Sequence, residues 1–405
     1  MIIKKVTGRE VLDSRGNPTV EVEIHSGRHI ARAIVPSGAS TGKYEAIEQR
    51  DDGKRYFGKG VLKAANNVNI LGKKLIGKMI DVNEIDEFLI DEDGNENKSL
   101  YGANSILGIS LAATKLAALE KGIPLYKEFG NLAKNKKFSI PKPFFNVING
   151  GAHAGNDLDV QEYMIVPQEK SFRENLRVGS EIYHELKEII RKKYGKIATN
   201  VGDEGGFAPP LSKIEEPFDL ILDAADKLGH KIKLAMDVAA SQMRNGNDYI
   251  LEGKKHSAFD LVDIYKGIVK TYPVISIEDP FSEEDWNSFF VLNKEIGRKV
   301  QIVGDDLLVT NKTRIAKAIE LKSCNALLLK MNQIGTITET IDAAKLALNG
   351  KMKVMVSHRS GETEDTSIAD LSVGLNCGQI KSGAPARGER TAKYNQLLRI
   401  EEELR

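Results

Sequence analysis

NALLLKMNQIGTITETIDAAKLALNGKMKVMVSH, residues 325–358, holds one complete β/α unit. A short apolar run stops on Lys330, a helical stretch follows from Thr336 to Leu348, and a second run, KVMVS, stops on His358. Apolar runs without alternation mark strands buried on both faces, as in parallel sheets wrapped by helices. The same beat extends both ways along the chain: Asp237 follows KIKLAM, Glu278 follows VISI, Asp305 follows VQIVG and Lys381 follows GQI. Successive stops lie 41, 27, 25, 28 and 23 residues apart, and the last four gaps each fit one strand, one helix and two turns. This succession predicts an α/β fold with a closed (β/α)8-type barrel. Its polar stops share the rim where barrel enzymes gather their reactive groups.

The chain has 405 residues, more than one core usually supports, so two domains are expected. Upstream of the barrel, strands are predicted near Ile3–Val11, Thr19–His25 and Ile30–Val35, separated by SRGNP and SGR turns. A helical period then runs from Val61 to about Ile90, and a helix at Ala103–Leu119 is apolar on so many sides that it must be buried. The polar, basic GNLAKNKKFSIPKP is the linker, which divides the chain into an N-terminal α+β domain, residues 1–133, and a barrel, residues 138–405. PFFNVING and QEYMIVP supply the first barrel strands and Phe172–Tyr194 a long helix. With 58 basic and 57 acidic residues the net charge is +1, which gives no general nucleic-acid or membrane-surface footprint and points to small-molecule partners. No stretch approaches the ~18 apolar residues of a membrane span, the N-terminus lacks a signal peptide's apolar core, and a cytoplasmic location is expected. Two cysteines, Cys324 and Cys377, lie in no ligand motif and read as buried thiols.

Asp237, Glu278 and Asp305 end consecutive strands, and all three are hard oxygen ligands. Any one of them could simply cap the next helix. Three converging carboxylates would repel strongly unless a divalent cation sat among them. Lys330, poorly solvated and beside such a cation, would have its ammonium form disfavoured and could act as a base near neutral pH, or it could be a salt-bridge partner. Lys381 and Arg359, with the amides of Ser360 and Gly361, suit phosphate or carboxylate oxygens. Of Glu162 and Glu204, one could be a general acid with a pKa raised by crowding. His153 and Ser40 lie in glycine-rich segments of the kind that form lids.

Eleven segments occur in the order characteristic of one family: LDSRGNPTVEVE, PSGASTG, NGGAHAGN, QEYMIVP, GDEGGFAP, AMDVAAS, IEDPF, GDDLLVTN, LLLKMNQIGT, VSHRSGET and IKSGAPARGER. The chain resembles enolase over nearly its whole length. The resemblance implies that the second barrel strand runs antiparallel to its neighbours. It also implies reversible dehydration of 2-phosphoglycerate to phosphoenolpyruvate in glycolysis and gluconeogenesis, with two Mg2+ stabilising an aci-carboxylate. By the same likeness Asp237, Glu278 and Asp305 bind one Mg2+, and Ser40 closes over a second that arrives with substrate. Lys330 takes the proton from carbon 2, Glu204 protonates the departing hydroxyl and Glu162 assists. His153 and Gln161 lie close to substrate, Arg359 and Ser360 hold its phosphate with His358 beside them, and Lys381 holds an anionic oxygen. The family also implies a homodimer or octamer. A sugar-acid dehydratase would share the barrel acids, and a binding protein could keep the scaffold; PSGASTG, GDEGGFAP and SHRSGET weigh against the first and the complete reactive set against the second.

Overall fold

The structure, a computed structural model, describes residues 1–38 and 41–405. At the N-terminus β1 (Lys5–Leu12), β2 (Pro18–His25) and β3 (Ile30–Ile34) form an antiparallel meander. Val20, Val22 and Ile24 turn inward from β2, while Glu21 and Glu23 pair with Arg9 and Arg32 on the other face. The helical stretch expected over Val61–Ile90 is two helices, α1 (Leu62–Leu75) and α2 (Val82–Asp93). Gly77, at φ +88°, breaks the first, and the Asp81 carboxylate starts the second by accepting from the Asn83 and Glu84 amides. α3 (Ala103–Lys121) is buried almost all round, as its composition requires, and stops at Gly122 with φ +62°. α4 (Leu125–Ala133), not expected from the sequence, extends into the linker. Lys134, in the left-handed conformation, ends it, and residues 134–141 run on without regular structure.

Eight strands then close into a barrel. β4 (Lys142–Asn149) is followed by β5 (Glu162–Pro167), the long α5 (Phe172–Tyr194), α6 (Glu216–Lys227) and β6 (Ile232–Asp237). The 41-residue gap between Asp237 and Glu278 has room for a small extra sheet of β7 (Arg244–Asn245), β8 (Asp248–Leu251) and β9 (Lys254–His256), then α7 (Ala258–Thr271) and β10 (Val274–Glu278). Regular units follow: α8 (Trp286–Ile296), β11 (Gln301–Gly304), α9 (Lys312–Leu321), β12 (Ala326–Leu329), α10 (Ile337–Asn349), β13 (Lys353–Ser357), α11 (Ser367–Gly374), β14 (Gly378–Lys381) and α12 (Gly388–Glu403). β14 pairs with β4 to close the ring, and β5 is antiparallel to both of its neighbours.

Strand pleating sorts the side chains. Phe144, Met164, Val166, Ala235, Val303, Ala326, Leu328 and Met355 fill the barrel interior, whereas Leu327 and Leu329 face the helices. The two parts of the chain also share a helix end. The Ile337 amide donates to Ser110 Oγ of α3 at 2.9 Å and the Thr338 amide to Asp86 Oδ2 of α2 at 2.9 Å, so α10 takes two of its N-terminal acceptors from outside the barrel. Among the described residues no helix is long and apolar enough to cross a membrane.

Candidate active site

The period of two that fills the barrel also builds its mouth. Two residues beyond interior Ala235, Val303 and Leu328 come Asp237, Asp305 and Lys330, and two beyond Phe144 comes Asn146. β5 runs the other way, so its first residue, Glu162, is the one at the mouth, in register with Asp237. Glu278 and Lys381 close β10 and β14. The structure therefore brings together His153, Gln161, Glu162, Glu204, Asp237, Asp305, Lys330, His358, Arg359, Ser360 and Lys381 around one cavity, with Glu278 bound to Lys381 beneath. Ser40 lies outside the described residues.

Lys381 and Arg359 line the same cavity, but each is already paired with acids. Lys381 Nζ lies 2.8 and 2.9 Å from the two oxygens of Glu278 and 3.3 Å from both Asp237 Oδ2 and Glu162 Oε2. Three acids draw the flexible ammonium down into the ring, and they hold it charged against the opposing effect of burial. Arg359 makes a two-pronged pair with Glu45 at 2.9 and 3.2 Å. The side chains leave about 20 Å3 between them, room for one water molecule. Wider grooves of about 550 and 600 Å3 run between residues 94–98 and the start of α9, but among the described residues their lining holds no buried set of acids and bases like that of the barrel mouth.

Lys330 Nζ is 2.5 Å from Asp305 Oδ2. Burial lowers its proton affinity, yet Asp305 outweighs burial and holds the amine above the ordinary lysine value. The expected neutral lysine thus requires the charge of Asp305 to be engaged elsewhere. Gln333 donates to the other oxygen of Asp305 at 2.8 Å, and Asp279 holds the Asp305 and Asp306 amides at 2.9 and 2.7 Å. Sequence reading missed Asp279 and Asp306, although each is the second acid of a pair, in IEDP and GDDL.

Opposite Lys330 stand two buried glutamates whose proton affinities are pushed apart. Burial and the neighbouring Glu204 push Glu162 well above the usual carboxylate range. Burial also works against the charge of Glu204, but His358 and His153 overcome it and hold this carboxyl well below that range. Crowding thus raises the acid other than the one assigned as proton donor. Asn146, another residue the sequence reading passed over, donates to Glu204 Oε2 at 3.0 Å. His153 Nδ1 stands 3.5 Å from Glu204 and 3.9 Å from Glu162. His358, pushed down to about 4 by burial, is neutral at pH 7 with Nε2 3.4 Å from Glu204 Oε2.

Asp237, Glu278 and Asp305 are at least 92 % buried, offer only hard oxygens and already hold two ammonium groups as stand-in cations. Such a donor set fits a divalent cation of the magnesium type. Among the described residues the ligand atoms that already lie within 4.8 Å of one another belong to two other groupings, His153 with Glu162 and Glu204, and Asp279 with Asp305 and Asp306, while Asp237, Glu278 and Asp305 are held apart around the two ammonium groups.

Comparison with known proteins agrees with this layout. A family model described as "Enolase, N-terminal domain" matches residues 3–129, and one described as "Enolase, C-terminal TIM barrel domain" matches residues 137–405. The enolase of Pyrococcus furiosus is 56% identical over 410 residues, spanning 98% of this chain and 94% of the relative. The enolases of Thermococcus kodakarensis and Thermococcus gammatolerans are 55% and 54% identical over 413 residues, each spanning 99% of this chain and 95% of the relative.

Proposed function

The chain belongs to the enolase family, lyases that reversibly dehydrate 2-phosphoglycerate to phosphoenolpyruvate, and we propose how its residues divide that work. The observation that carries the reading is the opposition, across one barrel mouth, of Lys330 on Asp305 and the Glu162–Glu204 pair. Lys330 takes the proton from carbon 2. Glu204, flanked by His153, His358 and Asn146, serves the departing hydroxyl, and Glu162 carries the proton of the pair. Since Glu204 is held ionised, Glu162 supplies it with the proton that leaves with the hydroxyl.

Substrate enters a space of about 20 Å3 only by replacing internal contacts, so its carboxylate and phosphate take over Lys381 and Arg359 from Glu278 and Glu45. Ser360 assists at the phosphate and Gln161, 3.4 Å from Asp237, borders the carboxylate side. Asp237, Glu278 and Asp305 would hold one Mg2+ and Ser40 would reach a second. Bound there, the metal supplies positive charge for the second negative charge that forms on the substrate carboxylate, and engages Asp305 so that Lys330 can shed its proton. The same reading places the boundary between units at residues 133–138 and the enzyme in the cytoplasm as a homodimer or octamer.

The test mixes purified protein with 2-phosphoglycerate and Mg2+ and follows the ultraviolet absorbance of the new carbon–carbon double bond. A rise that a chelator abolishes is the expected result. Turnover of sugar acids without turnover of 2-phosphoglycerate would move the assignment to another reaction on the same barrel.

A further inference from the structure

Arg390, in the first turn of α12, is the largest fully buried side chain of the described residues, at 0% exposure. Its Nε lies 3.3 Å from the neighbouring Glu389 carboxylate, and its two terminal nitrogens donate to four groups on two loops. Nη1 donates to His358 Nδ1 at 2.6 Å and to the Arg359 carbonyl at 2.7 Å; Nη2 donates to the Ser360 carbonyl at 2.7 Å and the Asp203 carbonyl at 3.1 Å. One planar group therefore binds the whole run His358–Ser360 to the residue that precedes Glu204. Gly383 closes over its stem: a Cβ there would lie 2.9 Å from Arg390 Cδ and 2.7 Å from the Glu204 carbonyl, at a φ of +78°. Arginine has five donors and no acceptor, so the ring nitrogen facing it must be bare. In the neutral imidazole the proton is then on Nε2, the nitrogen aimed at Glu204 Oε2 at 3.4 Å.

We propose that Arg390 is a positioning residue of the reaction, which fixes His358 in its Nε2–H tautomer and makes it a hydrogen-bond donor to Glu204 and the hydroxyl that Glu204 serves. The proposal rests on the assignment of Glu204 to the hydroxyl step. Lysine cannot replace it, because a single ammonium cannot reproduce a planar fork that spans four acceptors.

The test is nitrogen-15 spectroscopy of the histidine rings in the intact, Mg2+-loaded protein, with His358 assigned by its loss in His358→Asn. In the unaltered chain Nδ1 reads as bare and Nε2 as protonated, and the reverse pattern would overturn the proposal without any variant. In Arg390→Lys, and in Arg390→Met if it folds, His358 becomes a mixture of tautomers. Overall kcat falls by about 100-fold, as for a misplaced reacting group, with little change in KM. Exchange of the carbon 2 proton persists. An unchanged tautomer in Arg390→Lys would also overturn the proposal. A mixed tautomer with exchange and dehydration lost together would uphold the role of Arg390 and instead remove Glu204 from the hydroxyl step.

Discussion

Lys330 and Lys381 both sit on acids at the barrel mouth, yet only Lys330 stands opposite the glutamate pair. Lys330→Ala should abolish exchange of the carbon 2 proton with solvent deuterium while the circular dichroism of the barrel is retained, because a rim residue adds little to core packing. Persistent exchange would take the base role away from it. The glutamates should separate differently. Glutamine mimics a protonated carboxyl, which is the form burial imposes on Glu162 and the histidines deny to Glu204. Glu162→Gln should therefore leave KM little changed, since the shape of the neutral acid is kept, yet lower dehydration kcat because an amide has no proton to pass to Glu204, whereas Glu204→Gln should disturb both. An undiminished kcat in Glu162→Gln would take the donor role away from Glu162. At this scale the sequence carried the positions of the reactive groups, because strand pleating turns Leu328 inward and so Lys330 too. It did not carry their partners. That Lys381 reaches Glu278, or Arg359 reaches Glu45, depends on residues 103 and 314 positions apart in the chain.

Helices of this fold also carry ionisable groups where water does not reach. Asp370 of α11 is 2% exposed, and burial pushes its carboxyl up to about 7, with Gln396 of α12 donating to it at 3.3 and 3.4 Å. Below about pH 4 both the native and the unfolded chain hold this proton. As pH rises toward 7 the unfolded chain releases it while the native chain does not, so stability falls across that window and levels off above it. Asp370→Asn should stabilise the protein at pH 8 by up to roughly 4 kcal/mol and by nothing near pH 4, read from denaturant midpoints at the two pH values. A pH-independent effect would mean that the carboxyl is ionised in the native state. Among the elements themselves, α3 was legible because Ile106, Leu107, Ile109 and Leu111 leave no polar face. α4 was not, since Phe129 and Tyr126 make sense only against α11, far along the chain. The hairpins of β7–β9 did leave a signal in Gly246 and in Glu252–Gly253, both with positive φ as primed turns require.

Across the whole molecule the barrel's closure concentrates charge at one end, and a cation that binds there should stabilise the fold. At Mg2+ one hundred times its dissociation constant the gain is about 2.7 kcal/mol, which thermal unfolding detects as a rise in Tm reversed by a chelator. Asp305→Asn should weaken that rise, and no rise from saturating Mg2+ in the unaltered chain would remove Asp237, Glu278 and Asp305 as its ligands. The reversed β5 was not legible from periodicity, because direction leaves no trace in an apolar run; only the family's motif order implied it. The shared end of α10 has a separate consequence. A helix that borrows Ser110 and Asp86 from the N-terminal unit makes the barrel a poor cassette: lifted out for grafting or circular permutation, it must bring α2 and α3 with it, or be given new acceptors at Ile337 and Thr338.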